Sequence, residues 1–133
     1  NESMPRFVVE RITEALNRQS KSVRDSKIHL VGIAYKRGVN DVRESPALNV
    51  MKLLFEKGAI LSYSDPYVPK LREEGLELSS VPLEATLSNG CDCAVILTDH
   101  TEFDYGFIAR NARAVVDTRN ALRAYDGDNI VRL

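Results

Sequence analysis

The stretch IHLVGIAYKRGVNDVRESPALNVMKLLFEKGAILSYSDP, residues 28–66, decides the fold of this chain. It opens with a short apolar run, residues 28–34, which is typical of a strand buried on both faces of a parallel sheet. Ser45 and Pro46 then supply a helix N-cap and a residue suited to the first helical position. A second apolar run at residues 59–63 completes a strand–helix–strand unit, which predicts two parallel neighbouring strands.

Apolar residues at helical spacing predict a helix on each side of the first strand. The polar segment 19–27 separates the first helix, residues 4–19, from that strand. We therefore expect residues 1–25 to be the end of a linking helix from a preceding domain, and residues 26–133 to form one α/β domain. The predicted buried stripes are Met4, Phe7, Val8, Ile12, Ala15 and Leu16 in the first helix and Ala47, Val50, Met51, Leu54 and Phe55 in the second.

The rest of the chain continues the alternation of strands and helices. Strands that alternate with helices predict a Rossmann-like open, mainly parallel sheet with helices on both faces, preceded by the N-terminal helix. The expected elements are a short helix or turn over 69–75, a brief strand within 76–81, a helix over 82–88, a strand over 93–98, a helix over 105–112 and a strand over 114–117.

Length, charge and cysteine content restrict the function. The chain has 133 residues, which suits one compact domain, and a net charge of -1, which argues against broad nucleic-acid binding. It lacks the apolar run of about 18 residues that a membrane span requires, and its start does not resemble a signal peptide. Cys91 and Cys93 have neither zinc-site nor redox spacing, so we expect structural thiols in a cytoplasmic protein.

Cations follow two of the predicted strands and should meet at one edge of the sheet. Lys36 follows the first strand and Arg119 follows the last, while Arg43 lies in the first loop near the N-terminus of the next helix. In open α/β sheets ligands bind outside the carboxyl ends of the strands. Cations beside a helix N-terminus suit a phosphate or a diphosphate. The alternative is that these are solvated loop charges, some of them paired with Asp41 or Glu44.

Other chemistry has weaker support in the sequence. No GxGxxG follows Gly32, so a complete dinucleotide site of the usual kind is not predicted. His100 has the strand-end position of a general base, but a lone histidine without a visible partner is more often structural or exposed. Asp99 and Glu102 lack the companions of a metal site, and no Ser or Cys lies on a nucleophile elbow.

Four stretches in order carry a family resemblance: MPRFVVERITEALN (4–17), GIAYKRGVNDVRESPALNVMKLLFEKGAILSYSDPYVP (32–69), CDCAVILTDHTEF (91–103) and VVDTRN (115–120). Together they resemble the C-terminal domain of the UDP-glucose/GDP-mannose dehydrogenase family. The resemblance implies an NAD-dependent enzyme of polysaccharide biosynthesis that oxidises the C6 alcohol of a nucleotide sugar to a carboxylate by two hydride transfers. It also implies a homodimer in the full-length enzyme.

The resemblance also implies roles for individual residues. Tyr35 and Lys36 would contact the nucleotide sugar, as would Arg119 of VVDTRN, and Arg43 of DVRES would reach toward NAD. Asp41 is expected to pair with Arg43 and hold the loop.

The chain departs from the family pattern in ways that limit its own chemistry. The catalytic cysteine motif and the Gly-rich NAD fingerprint are both absent, so we expect this fragment alone to be inactive, with NAD bound mainly by an N-terminal domain outside the sequence. Thr118 stands where many members have Gly. With YKRGVNDVRESPAL and SDPYVPKL, this resembles the branch that acts on UDP-N-acetylglucosamine or UDP-N-acetylmannosamine.

Two other functions fit parts of the pattern. The N-terminal amphipathic helix could serve a non-enzymatic oligomerisation or interaction module. The other is a coenzyme A or mononucleotide-binding domain of another Rossmann-like family, but it would predict a Gly-rich first loop, which this sequence lacks.

Overall fold

A computed structural model describes residues 3–73 and 75–133. Five strands form one sheet in the order β2-β1-β5-β6-β7, and every neighbouring pair in it is parallel. The remaining two strands, β3 and β4, form an antiparallel pair. The helices are α1 (Met4–Asn17), α2 (Pro46–Glu56), α3 (Leu83–Ser88) and α4 (Tyr105–Asn111); the strands are β1 (Lys27–Val31), β2 (Ile60–Ser64), β3 (Lys70–Glu73), β4 (Leu76–Ser79), β5 (Cys93–Ile96), β6 (Val115–Asp117) and β7 (Ile130–Arg132).

Helices cover both faces of the sheet, as the sequence predicts. Successive side chains of a strand point to opposite faces, and the central strand β5 shows this directly. Cys93 and Val95 pack into the cluster that α1 and α2 cover, whereas Ala94 and Ile96 pack into the cluster that α3 and α4 cover. All four residues are buried, which explains why β5 is a continuous apolar run rather than an alternating one.

The N-terminal helix packs on the sheet rather than standing apart from it. Val8, Val9, Ile12, Ala15 and Leu16 belong to the same apolar cluster as Ile28 and Leu30 of β1 and the buried residues of α2, and α1 contacts α2. Met4 is partly buried against this cluster, but the expected stripe is wrong at Phe7, which is 41% exposed beneath the guanidinium of Arg11. Pro5 and Val9 are also buried. That residues 1–25 end a linking helix remains a prediction.

Two further expectations differ from the structure, and one strand was not predicted. Residues 69–75 were expected as a helix or turn, but Lys70–Glu73 pair as β3 with β4, because the two short runs flank a turn at Gly75. Phe55 is 57% exposed, so the buried face of α2 ends at Leu54. Strand β7 had no clear sequence signal, since a three-residue edge strand carries little periodicity.

The link from β1 to α2 is built as the sequence predicts. Ser45 caps α2 by accepting a hydrogen bond from the backbone N–H of Ala47 at 3.2 Å, and Pro46 occupies the first turn. Gly32 ends β1 with a φ of +80°, and a Cβ there would lie 2.3 Å from the carbonyl oxygen of Thr98. Only glycine therefore allows the chain after β1 to approach the chain after β5 so closely.

A buried histidine links β1 to β2. His29 Nδ1 lies 2.7 Å from Ser62 Oγ, and Nε2 lies 2.7 Å from Ser64 Oγ. Because Ser64 Oγ donates its proton to the carbonyl of Val81, it accepts from Nε2–H of His29. Burial lowers the pKa of His29 to about 4.

Among residues 3–73 and 75–133, no helix is long and apolar enough to cross a membrane.

Candidate anion-binding site

The chain changes direction across the sheet at β1. From β1 it passes through α2 to β2 on one side, and it later returns as β5 on the other side. The loop 32–45 after β1 and the segment 97–104 after β5 therefore leave the same edge of the sheet side by side. A ligand-binding crevice is expected at this switch point, outside the carboxyl ends of the strands.

Asp99 lies between two arginines from separate loops at this edge. Arg37 Nη2 lies 2.6 Å from Asp99 Oδ2, and Arg37 Nε donates to the Asp99 carbonyl at 3.1 Å. Arg119 Nε lies 3.8 Å from Asp99 Oδ1. The strand order explains this arrangement: β5 lies between β1 and β6, so the residue after β5 can reach the residues that follow both neighbours.

The electrostatics of Asp99 reflect both arginines. Burial raises the pKa of the Asp99 carboxyl, but the hydrogen bond from Arg37 and the charges of Arg37 and Arg119 outweigh it and hold that pKa below its usual value. The same hydrogen bond raises the pKa of Arg37. Asp99 is therefore ionised at neutral pH, although its Oδ1 is buried and accepts no hydrogen bond within the described part of the chain.

Asp117 at the end of β6 fixes the turn that carries Arg119. Its Oδ1 accepts hydrogen bonds from the backbone N–H groups of Arg119 at 3.0 Å and Ala121 at 3.1 Å, and its Oδ2 accepts one from Leu122 at 2.8 Å. Asn120 adopts a φ of +58° within the same turn. The backbone of Arg119 is thus held by a buried carboxylate, while its side chain remains at the surface.

A cavity of about 470 Å³ opens beside Arg119 at this edge of the sheet. Tyr35, Lys36 and Arg43 are not among the residues around it. The guanidinium of Arg119 makes no hydrogen bond within the described residues, so its N–H groups are available to a ligand. The lining consists of Asp99, Asp117, Thr118, Arg119, Asn120, Arg132 and Leu133.

A buried network of hydrogen bonds holds the loop 32–45 against its neighbours. Asp65 Oδ2 accepts from the backbone N–H groups of Ile33 at 2.8 Å and Ala34 at 3.0 Å, and lies 3.0 Å from His100 Nε2. His100 Nδ1 accepts from the backbone N–H of Gly38 at 3.0 Å. Nε2 must then carry the proton toward Asp65, which fixes a neutral tautomer.

This geometry decides between the two interpretations of His100. The ring is fully buried and both of its nitrogens are engaged, so it has a structural role and is not placed as a general base. Asp65 also shapes the turn after β2, since its Oδ1 accepts from the backbone N–H of Tyr67 at 2.8 Å.

The remaining predicted site residues lie in the same loop but not all in one cavity. Tyr35 and Lys36 are exposed immediately before Arg37. Arg43 is 82% exposed and forms a forked pair with Asp41, as predicted, with Nε and Nη2 at 3.2 and 3.1 Å from the two carboxylate oxygens. Arg43 lines a separate cavity of about 160 Å³ at the start of α2.

Sequence reasoning did not assign the residues that organise this edge. Arg37 was only one of several loop charges, and Asp99 was considered solely as a metal ligand. The signal that was present is positional, because Asp99 follows the strand predicted over 93–98 and Asp117 ends β6. The pairing of these charges depends on the order of the strands in the sheet, which short stretches of sequence do not predict.

Metal and thiol chemistry have no visible site in the described residues. Within 3–73 and 75–133, no group of three or more His, Cys, Asp or Glu side chains is placed to hold a metal ion. Burial raises the pKa of Cys91 to about 11, and it raises the pKa of the fully buried Cys93 still further. Neither thiol is a nucleophile at neutral pH.

A parallel five-stranded sheet with cations at its switch point defines a Rossmann-like ligand-binding domain. Comparison with known proteins gives the family. Residues 29–124 match the UDP binding domain of the UDP-glucose/GDP-mannose dehydrogenase family, and the chain belongs to that family.

Relatives with assigned activities are full-length dehydrogenases. The chain is 38% identical to a UDP-N-acetyl-D-mannosamine dehydrogenase of Methanococcus maripaludis over 103 residues. The matched region covers 77% of this chain and 22% of that protein. It is 32% identical over 124 residues to an NDP-N-acetyl-D-galactosaminuronic acid dehydrogenase of Ralstonia nicotianae, covering 90% and 27% of the two chains.

Solved structures show the same fold. The structure of the UDP-D-ManNAc dehydrogenase of Pyrococcus horikoshii superposes with a TM-score of 0.81 at 27% identity, over 99% of this chain and 31% of that one. The 133-residue chain therefore spans less than a third of the length of each of these three relatives.

Proposed function

We propose that this chain is the C-terminal nucleotide-sugar-binding domain of an NAD-dependent UDP-sugar 6-dehydrogenase and that it holds the UDP part of the substrate. The observation that carries the proposal is Arg119 beside a cavity of about 470 Å³ at the carboxyl edge of the sheet, with a guanidinium that makes no hydrogen bond within the described residues. A guanidinium fork matches the oxygens of a phosphate group.

The loop 32–45 supplies the other contacts in this proposal. Tyr35 and Lys36 contact the nucleotide sugar from the exposed side of the loop, and Arg119 contacts it from the turn after β6. Asp65 and His100 support these roles, because they fix the loop before the ligand arrives and so reduce the entropy lost on binding.

NAD would meet this domain across a cleft. The β1–α2 loop has no Gly-rich fingerprint, and Asp65 already occupies the backbone N–H groups of Ile33 and Ala34, so the loop does not offer them to a pyrophosphate. Most NAD contacts then belong to another domain, and Arg43, which is exposed at the start of α2, supplies one cation toward it. When bound, NAD accepts the hydrides of the oxidation.

The mechanism of this domain is positional. It holds the diphosphate so that C6 of the sugar meets the nicotinamide and the catalytic cysteine of other domains, and the chain alone is inactive. A misplacement of about 1 Å can cost roughly a hundredfold in rate, so binding contacts remote from C6 matter to turnover. The preference for UDP-N-acetylhexosamines is supported by the relatives that act on N-acetylated sugars.

A titration followed by ¹⁵N NMR tests the proposal, because it detects the millimolar binding expected of an incomplete site. UDP should shift the backbone resonances of residues 35–38 and 117–120, whereas uridine, which lacks the diphosphate, should shift them far less. The proposal is wrong if UDP at about 10 mM, near the weak-binding limit of such sites, moves neither group of resonances.

A further inference from the structure

The pair formed by Arg37 and Asp99 has no role in the assignments above. Arg37 directly follows Lys36, and its guanidinium contacts Asp99 Oδ2 at 2.6 Å. Arg119 approaches the other oxygen, Oδ1, at 3.8 Å. One carboxylate therefore lies between two guanidinium groups that belong to loops 82 positions apart in the sequence.

Both arginines retain donors for a ligand. Arg37 uses Nε and Nη2 on Asp99, but its side chain is 59% exposed and the remaining N–H groups of its fork face solvent. Arg119 is 42% exposed and lies beyond hydrogen-bond distance of Asp99. A guanidinium carries five N–H groups, so one carboxylate cannot satisfy all the donors of two guanidinium groups.

Asp99 is also incompletely satisfied. Its side chain is only 14% exposed, and the buried Oδ1 accepts no hydrogen bond among the described residues. Two guanidinium groups approach this one carboxylate, while Asp117 nearby accepts hydrogen bonds from three backbone N–H groups. A ligand with two or more negative charges would pair with both arginines more fully than the single carboxylate does.

We propose that Arg37 is a second guanidinium of the diphosphate site, and that Asp99 is its resident counter-ion, which a diphosphate must compete with. The inference deepens the proposed function and rests on it. Asp99 keeps two cations close together in the ligand-free domain, since like charges would otherwise repel, and it lowers the affinity for any anion that binds between them.

Two single substitutions test the proposal in opposite directions. Arg37→Ala removes one guanidinium and should weaken the binding of both UDP and inorganic pyrophosphate at least threefold. Asp99→Asn keeps an oxygen that can accept from Arg37 but removes the charge, and it should tighten both at least threefold. Uridine, titrated by the same ¹⁵N NMR method, should bind equally in all variants.

The double variant Arg37→Ala/Asp99→Asn separates direct competition from a general change of charge. If Asp99 competes with the ligand mainly for Arg37, the gain from Asp99→Asn should shrink by at least half when Arg37 is absent. Matched controls are Arg18→Ala, at the end of α1, and Glu56→Gln, at the end of α2, which make the same charge changes near the opposite edge of the sheet.

The outcomes are distinguishable. If wild-type protein does not respond to UDP or pyrophosphate, the proposed function fails and this inference fails with it. If wild type responds but Arg37→Ala and Asp99→Asn bind like it, or if the controls change affinity equally, only the inference is overturned. If Asp99→Asn does not fold, Arg37→Ala and the charge-conserving Arg37→Lys test the inference instead. The affinity of Arg37→Lys for UDP and pyrophosphate should then lie between those of Arg37→Ala and wild type.

Discussion

The backbone N–H of Gly38 donates a hydrogen bond to Nδ1 of His100 at 3.0 Å, and so joins the two loops that frame the site. Because that nitrogen accepts, the other ring nitrogen donates to Asp65, at the end of β2. One buried ring thus connects the chain segments that follow β1, β2 and β5. This ring adds long-range contacts to those that the loop carrying Lys36 and Arg37 makes within itself.

Replacing His100 should loosen that loop. His100→Phe keeps a ring but removes both hydrogen bonds, so we expect a loss of about 2 kcal/mol in the free energy of unfolding and faster hydrogen exchange at the Gly38 amide. His100→Asn is the comparison, because its side-chain oxygen can still accept from Gly38 but cannot reach Asp65. Equal protection of the Gly38 amide in His100→Phe and wild type would contradict the assigned role.

Gly32 and Gly38, two glycines of the loop 32–45, offer a matched pair of substitutions. Both have positive φ, +80° at Gly32 and +75° at Gly38, but a Cβ at Gly32 would lie 2.3 Å from the Thr98 carbonyl oxygen whereas one at Gly38 meets nothing within 4 Å. Gly38→Ala should cost about 1 kcal/mol of backbone strain. Gly32→Ala should cost at least about 3 kcal/mol, since it adds a backbone clash. Urea unfolding of both variants measures the difference, and equal costs would contradict the close approach.

Acid should destabilise the domain through His29. Its folded pKa, about 4, lies below the ordinary value of 6.5, so the unfolded chain binds more protons between these values and stability falls as the pH falls. We expect a loss of about 2 kcal/mol from this group between pH 7 and pH 4.5. Urea unfolding at both pH values measures it. His29→Gln cannot titrate, and an unchanged pH dependence in that variant would show that other groups cause the loss.

Substrate affinity of the full-length enzyme should depend on Lys36 and Arg119. If the proposed site is right, Lys36→Ala and Arg119→Ala should each raise the KM for the UDP-sugar about tenfold or more, because each would remove a charge-assisted contact to the substrate. Steady-state kinetics at saturating NAD measure the effect, with Arg18→Ala as the distant control. Wild-type KM in both variants would remove these two residues from the proposed site.

Local sequence determined most helices and strands of the main sheet and several of their ends, but not β3 or β7. Residues 93–96, and Ile28, Leu30 and Val31 of β1, are apolar because strands covered on both faces need no polar side. His29 is the exception, and its ring nitrogens contact Ser62 and Ser64. Ser45 and Pro46 begin α2 for reasons that act within one turn of chain. Periodicity was less reliable where burial depends on a partner element, as at Phe7 and Phe55, which share helical stripes with buried residues but lie at the surface.

The family was also readable from the sequence, because its motifs are residues at fixed spacings, and the match over residues 29–124 confirms it. Only tertiary structure decided which charges meet. Strand order placed Asp99 between Arg37 and Arg119, and it buried His100 against Asp65 instead of leaving it open to a substrate. The physical reason is that helix and strand formation depend on neighbours a few residues away, whereas the pairing of charges depends on how parallel strands from distant parts of the chain are ordered in one sheet.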